Sequence, residues 1–245
     1  MTGRSLALTE RDKAIVAEVM RFGVITRQQL TRLRLFSSKT RANERLRRLV
    51  AAGYLAARRQ PLPNGGPRLL YLPGQLATDA RETRKRWLDA SEPFIAHQLG
   101  LVDIRLAFER QTALVRWLSD KDLAALSLGI VPDAYVEYET ADLTYCAFIE
   151  YDRGTETLGR IERKVRCYVD LARSGRFERL FSRKYFRVLM LTDSPLRLAT
   201  LSNAASRITD RIIRFCTLPE LSHQGVTASI WRRPGVPASE SLTGS

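Results

Sequence analysis

Apolar residues recur at helical spacing through the first fifty positions of the chain. Ala14, Ile15, Val19 and Phe22 share one face; Thr9 precedes them as an N-cap with Asp12 three residues on, and Gly23 is the stop. Thr26 and Gln29 form a capping box for a second, short helix carrying Leu30 and Leu33. Ser37 or Ser38 caps a third, KTRANERLRRLVAAG, which buries Ala42, Leu46, Leu49 and Val50 and ends at Gly53. Residues 54–60 and 68–72 then read as strands, and Asn64-Gly65 supplies the positive-φ pair of a tight turn between them.

From residue 93 the pattern changes to alternating helix and strand. A helix over 93–113 carries Ile95, Leu99, Val102, Leu106 and Ala113 as its apolar stripe. A strand at 115–119 and a connecting segment at 120–128 follow. Two runs rich in β-branched and aromatic residues, 130–138 and 143–151, flank a turn at 139–142 and predict an antiparallel hairpin. A helix starting at Thr155 or Thr157 and stopped by Gly175 turns Leu158, Ile161, Val165, Tyr168 and Ala172 inward, with Lys164 at the margin of that stripe. The continuous apolar run 186–192 reads as a strand buried on both faces, 196–213 as a helix, and 215–217 and 228–231 as closing strands. The order α-β-β-β-α-β-α-β predicts a mixed sheet flanked by helices.

The two halves therefore form an α/β two-domain protein. Residues 1–74 are the first domain, 75–93 a charged linker helix anchored by Trp87 and Leu88, 94–234 the second domain, and 235–245 a polar tail expected to be disordered. Charge separates the halves as well. The formal charge is +14, and residues 1–90 carry 19 Lys and Arg against 7 Asp and Glu, leaving 91–245 nearly neutral at +2. A basic module of this kind attracts polyanions, nucleic acid before membrane surface. No apolar run reaches the ~18 residues of a spanning helix and no secretory leader is present, so a soluble cytoplasmic protein is expected. Cys146, Cys167 and Cys216 lie far apart in apolar segments and read as reduced residues. Only two histidines, His97 and His223, occur, which disfavours a histidine-rich zinc site or a Ser-His-Asp triad.

The candidate chemistry lies in IVPDAYVEYETADLTYCAFIEYDRGTE, where Asp133, Glu150, Asp152 and Glu156 gather at the edge of an apolar sheet. Asp133 follows a proline early in one strand and Glu150 ends the next, positions that lie close across an antiparallel ladder and can hold a divalent cation. Two readings stay open: a Mg²⁺ site on Asp133 and Glu150, or ion pairing of the acids with Arg153, Arg160 and Arg163.

Three helices followed by a hairpin resemble the winged-helix DNA-binding domains over residues 8–74. The resemblance implies that the third helix enters the major groove of double-stranded DNA, with Arg41, Glu44 and Arg48 at base edges, Arg45 or Arg47 near phosphates, Ser37, Lys39 and Thr40 beside them, and Arg58, Arg59 and Arg68 on the wing. The αβββαβ core with Pro132-Asp133 and Glu150 seventeen positions later resembles the restriction-endonuclease-like PD-(D/E)xK superfamily. That likeness implies Mg²⁺ on Asp133 and Glu150 and a lysine to stabilise developing charge. Asp152 stands where the lysine falls in that pattern, so either Lys164 on the following helix has taken the role or hydrolysis is lost.

The combination is narrower than its parts. A helical His97-x-Leu99-x-x-x-Asp103, then PDA, then EYDRGTE, then Lys164 and Tyr168, behind three helices and a hairpin, resembles the replication-relaxation family of bacterial plasmids and mobile elements, over residues 8–218. It implies a DNA-binding protein, expected as a homodimer, in replication, maintenance or regulation of such an element. The alternative is a Mg²⁺-dependent DNA endonuclease using Asp133, Glu150, Asp152 and Lys164.

Overall fold

The computed structural model describes residues 6–62, 65–77, 85, 87–140 and 143–242. These form a mixed α/β structure with a three-stranded and a seven-stranded sheet. The chain divides into two units, Met1–Leu106 and Ala107–Ser245.

The first unit contains α1 (Glu10–Phe22), β1 (Ile25–Thr26), α2 (Arg27–Arg32), α3 (Lys39–Ala51), β2 (Leu55–Leu62) and β3 (Gly65–Pro73), with the strands ordered β1-β3-β2. Local chemistry sets the helix ends. Thr9 and Asp12 close a reciprocal capping box on α1, Thr26 and Gln29 do the same for α2, and Ser38 rather than Ser37 caps α3. Gly23 ends α1 with φ +72°, and a β-carbon added there would lie 1.7 Å from the Trp87 ring, so backbone strain and lack of space both require glycine. Ile15, Val19, Leu30, Ala42, Leu46 and Leu49 form the core between the helices. Asn64 of the expected tight turn, and residues 78–84 and 86 of the expected linker helix, lie outside the described residues.

The helix α4 (Glu92–Gln111) shifts the boundary. The unit division falls after Leu106 and not within 75–93, because Val102 and Leu106 pack into the core of the first unit, while Ile95 and Leu99 pack with Val24, Leu70, Leu72 and Trp87. Apolar burial drives this attachment.

The second unit carries β4 (Ala113–Ser119), α5 (Asp120–Ala124), β5 (Ala134–Thr140), β6 (Leu143–Asp152), α6 (Leu158–Arg173), α7 (Arg176–Phe181), β7 (Arg187–Thr192), α8 (Pro195–Ser206), β8 (Ile213–Thr217), α9 (Leu218–Gln224), β9 (Trp231–Arg232) and β10 (Ser239–Glu240). The sheet order is β10-β9-β8-β7-β6-β5-β4. β4, β5 and β6 are an antiparallel meander, β6, β7 and β8 run parallel, and β9 and β10 return antiparallel. Tyr135, Phe148, Val165, Tyr168, Phe177, Phe181, Val188 and Phe215 form the core on the helical face of the sheet.

Several expectations shift here. β5 starts at Ala134, after Pro132 and Asp133, since proline disfavours ladder pairing. The inward face of α6 continues through Leu171 and not Ala172, and Leu158 is exposed. α5, α7 and α9 are short helices where connecting chain was expected. Residues 235–242 are no loose tail: β10 pairs with β9 and Leu242 is buried. Cys146 and Cys216 are buried free thiols and Cys167 is partly buried. Among the described residues no helix is long and apolar enough to cross a membrane.

Candidate functional site

Ladder register brings the acids together. Ala134 faces Ile149, and one step further the antiparallel register sets Asp133 beside Glu150. The Tyr151 backbone N–H donates to Asp133 Oδ2 at 2.7 Å, which ties the residue before β5 to the end of β6. Glu150 and Asp152, two apart on β6, share the sheet face covered by α6. Beneath that helix Lys164 Nζ donates to Glu150 Oε2 at 2.6 Å, and the Tyr168 hydroxyl donates to Glu150 Oε1 at 2.6 Å. Lys164 also lies 3.0 Å from Glu156 Oε1, so one ammonium bridges two carboxylates.

Burial and neighbouring charge explain the proton affinities. Burial first, and then the Asp133 charge, raise the Glu150 carboxyl above the usual range, against the pull of Lys164 and Tyr168. Burial works against the Lys164 ammonium, but the Glu150 carboxylate outweighs it and holds Lys164 above the ordinary lysine value. Burial and Glu150 likewise push the Tyr168 hydroxyl well up. The ammonium is therefore the resident positive charge of the cluster.

Asp152 does something else. Its Oδ1 accepts from the backbone N–H groups of Gly154, Thr155 and Glu156 at 3.0, 3.2 and 3.3 Å, and its Oδ2 accepts from Arg197 Nε at 2.6 Å. Arg197 also donates to the Glu156 carbonyl at 2.6 Å. Asp152 thus shapes the loop that carries Glu156, and Arg197, 45 residues away, is a partner with no local signal in the sequence.

As arranged here, the acids are engaged by protein donors. Both Glu150 oxygens are occupied by protein donors, Asp133 spends one oxygen on Tyr151, and among the described residues no group of three or more His, Cys, Asp or Glu is arranged to hold a metal ion. Glu156 Oε2 is buried with no hydrogen-bond partner among the described residues.

The basic face of the first unit is arranged in the opposite way. Ser37, Lys39, Thr40, Arg41, Glu44, Arg47 and Arg48 are exposed on or just before α3. Arg41 touches Ser37 at 3.4 Å and Arg48 pairs with Glu44 one turn away, both at the surface. The side chains of Lys39, Arg47 and Arg59 form no hydrogen bond or ion pair with the described residues and face water. Three other expected contacts turn inward. Arg45 is drawn to buried Asp12, through Nε at 2.7 Å and through Nη2. Arg58 donates to the Ala90 carbonyl at 2.8 Å and pairs with Glu92, and Arg68 donates to Gln60 Oε1 at 2.6 Å. Asp103, expected to mark the family's helix, pairs with Arg32 at 3.1 Å inside the first unit, and Gln29 Nε2 donates to the Leu99 carbonyl at 2.9 Å.

Residues 17–183 match the family model described as Replication-relaxation. The chain belongs to the replication-relaxation family. The matched span of this replication-relaxation protein contains α3 and its basic face, Asp133, Glu150, Asp152 and the bridging Lys164 with Tyr168. Comparison with curated proteins returns no relative. Among solved structures, restriction endonuclease FokI bound to DNA aligns at 10% identity and TM-score 0.29, covering 91% of this chain and 46% of that one. A second structure of restriction endonuclease FokI aligns at 11% identity and TM-score 0.33, covering 86% of this chain and 43% of that one. The replication-relaxation chain spans less than half the length of the FokI chains. A likeness at this level does not establish a shared fold.

Proposed function

We propose that this replication-relaxation protein binds double-stranded DNA through a winged-helix first unit, in the replication, maintenance or regulation of a plasmid or other mobile element. Its second unit, of restriction-endonuclease-like layout, is a structural or docking partner to that activity and not a hydrolase. The supporting observation is the open basic face of α3, where Lys39, Arg41, Arg47 and Arg48 face water with Glu44 as the acid among them. Lys39 and Arg47 make no side-chain hydrogen bond or ion pair with the described residues, and Arg41 and Arg48 make only surface ones, so these cations are available to phosphates and to base edges, with α3 as the recognition helix and Arg59 on the wing. Fluorescence anisotropy with a labelled duplex tests this. Replacing Arg41 and Arg48 with Ala lowers affinity and flattens the plot of log affinity against log salt by ~0.9 per lost phosphate contact. Unchanged binding in that variant would sink the assignment.

The rival reading is a Mg²⁺-dependent endonuclease. In its favour, Asp133, Glu150 and Lys164 meet at one sheet edge; against it, Glu150 has no oxygen free of protein donors. Supercoiled plasmid incubated with the protein and Mg²⁺ or Mn²⁺ remains supercoiled on the reading proposed. Nicking abolished by Asp133→Ala and by Glu150→Ala would establish the rival.

A further inference from the structure

The second unit contains a basic surface that its overall charge conceals. Residues 91–245 sum to only +2, yet 158–187 hold ten Lys and Arg against three Asp and Glu. Several of these ten are committed internally: Lys164 to Glu150, Arg183 to Glu137, Arg176 to the Ser127 carbonyl. Arg163, Arg166 and Arg173 on α6, Arg179 on α7 and Lys184 just after it are exposed and form no ion pair with the described residues.

Lys184 is followed in the chain by an aromatic residue. Tyr185 is 85% exposed, more than any other large hydrophobic residue among those described. Its loop is built to hold it there. Ser182 closes α7 in the left-handed conformation at φ 56°, a strained geometry for a residue with a side chain. Next to it Arg183 makes two hydrogen bonds, 3.0 and 3.2 Å, to the buried carboxylate of Glu137 on β5. On the other side Phe186 is buried against Phe177 and Phe148, with ring centroids 4.5 and 5.1 Å away. Two fixed neighbours thus leave Lys184 and Tyr185 to project between them.

We propose that Tyr185 is a stacking platform for an unpaired base of single-stranded nucleic acid, with Arg179 and Lys184 gripping the adjoining phosphates. An exposed ring with an exposed cation beside it is the pairing of features that non-sequence-specific single-strand binders use. A duplex keeps its bases stacked inside and has no free base to offer, so the chemistry selects an unpaired strand. This site lies on the second unit and stands independently of the duplex-binding face of α3.

The test uses the full chain and a fluorescent oligothymidylate. Tyr185→Ala weakens binding by about 5-fold to 150-fold, the range a single stacked base contributes, while Tyr185→Phe and Tyr185→Trp keep it. Arg179→Ala with Lys184→Ala reduces the salt slope by ~1.4, at ~0.7 per single-strand phosphate contact. Duplex binding is unchanged in all of these and falls only with Arg41→Ala and Arg48→Ala. Since Tyr185 is at the surface, thermal unfolding of Tyr185→Ala matches the parent. The proposal is overturned if oligothymidylate does not bind the parent protein, if Tyr185→Ala binds it as well as the parent, or if Phe fails to restore what Ala removes.

Discussion

The α3 face and the Glu150 cluster are both dense in charge, and they are built in opposite ways. On α3, Lys39 and Arg47 face water without a partner among the described residues, and the Arg48–Glu44 pair is exposed. In the cluster every oxygen of Glu150 is met by a donor from α6, and the bridging ammonium of Lys164 is largely buried. Exposed charges retain their hydration and give it up to a ligand cheaply, whereas buried ones have already given it up and depend on each other. The same contrast recurs within one helix. Arg45 and Arg47 sit two residues apart, yet Arg45 is clamped to buried Asp12 and Arg47 is not.

The largest expected effect comes from breaking the closed site. Lys164→Ala leaves the Glu150 carboxylate buried beside Asp133 with no cation and should cost about 4 kcal/mol in urea unfolding. Its pH dependence has a definite sign. Without Lys164 the folded-state affinity of Glu150 for a proton, already raised by burial and by Asp133, rises further. A carboxyl raised in the folded state is stabilising below its unfolded value and loses that contribution as pH rises. The variant should therefore lose more stability between pH 5 and pH 8 than the parent, whose Lys164 stays charged throughout that window. An equal loss at both pH values would show that Glu150 is not what Lys164 neutralises.

Arg45→Ala should rank next, at about 3 kcal/mol, because it strands Asp12, which is fully buried. The related acid titration is smaller. Burial tends to raise the Asp12 carboxyl, but hydrogen bonds from Arg45 and Thr9 prevail and bring it down to about 2. A depressed carboxyl contributes above its unfolded value and loses that contribution as pH falls through the folded one. About 2 kcal/mol of first-unit stability should thus disappear between roughly pH 4 and pH 2, and Asp12→Asn should abolish that part of the acid transition. The smallest effect sharpens the comparison from the open side: Arg47→Ala should change stability by no more than ~0.5 kcal/mol while still flattening the salt dependence of duplex binding. If Arg47→Ala destabilised the protein as much as Arg45→Ala, the two arginines would not differ in role.

Much of the architecture was readable in advance where the determinants are local. Thr9 with Asp12, Thr26 with Gln29, and Gly23 act within one helical turn, and each does in the structure what its spacing predicted. Alternation and β-branching likewise located the β5–β6 hairpin, and register then followed from it. Short helices such as α7 were missed because six residues offer too little periodicity to separate helix from loop. Glu150 and Lys164 were linked in advance by the family resemblance and not by any local spacing.

What the sequence determined by itself, then, is the identity and order of the longer elements and the residue types available at their ends. The tertiary structure decided which charges are used up. Arg45 and Arg47, or Asp152 and Glu150, look alike along the chain, and only the positions of Asp12, 33 residues away from Arg45, and of Arg197, 45 away from Asp152, separate them. The physical reason is that capping and periodicity are short-range interactions written within a turn, while the fate of a charge depends on desolvation and on partners that folding brings from distant segments.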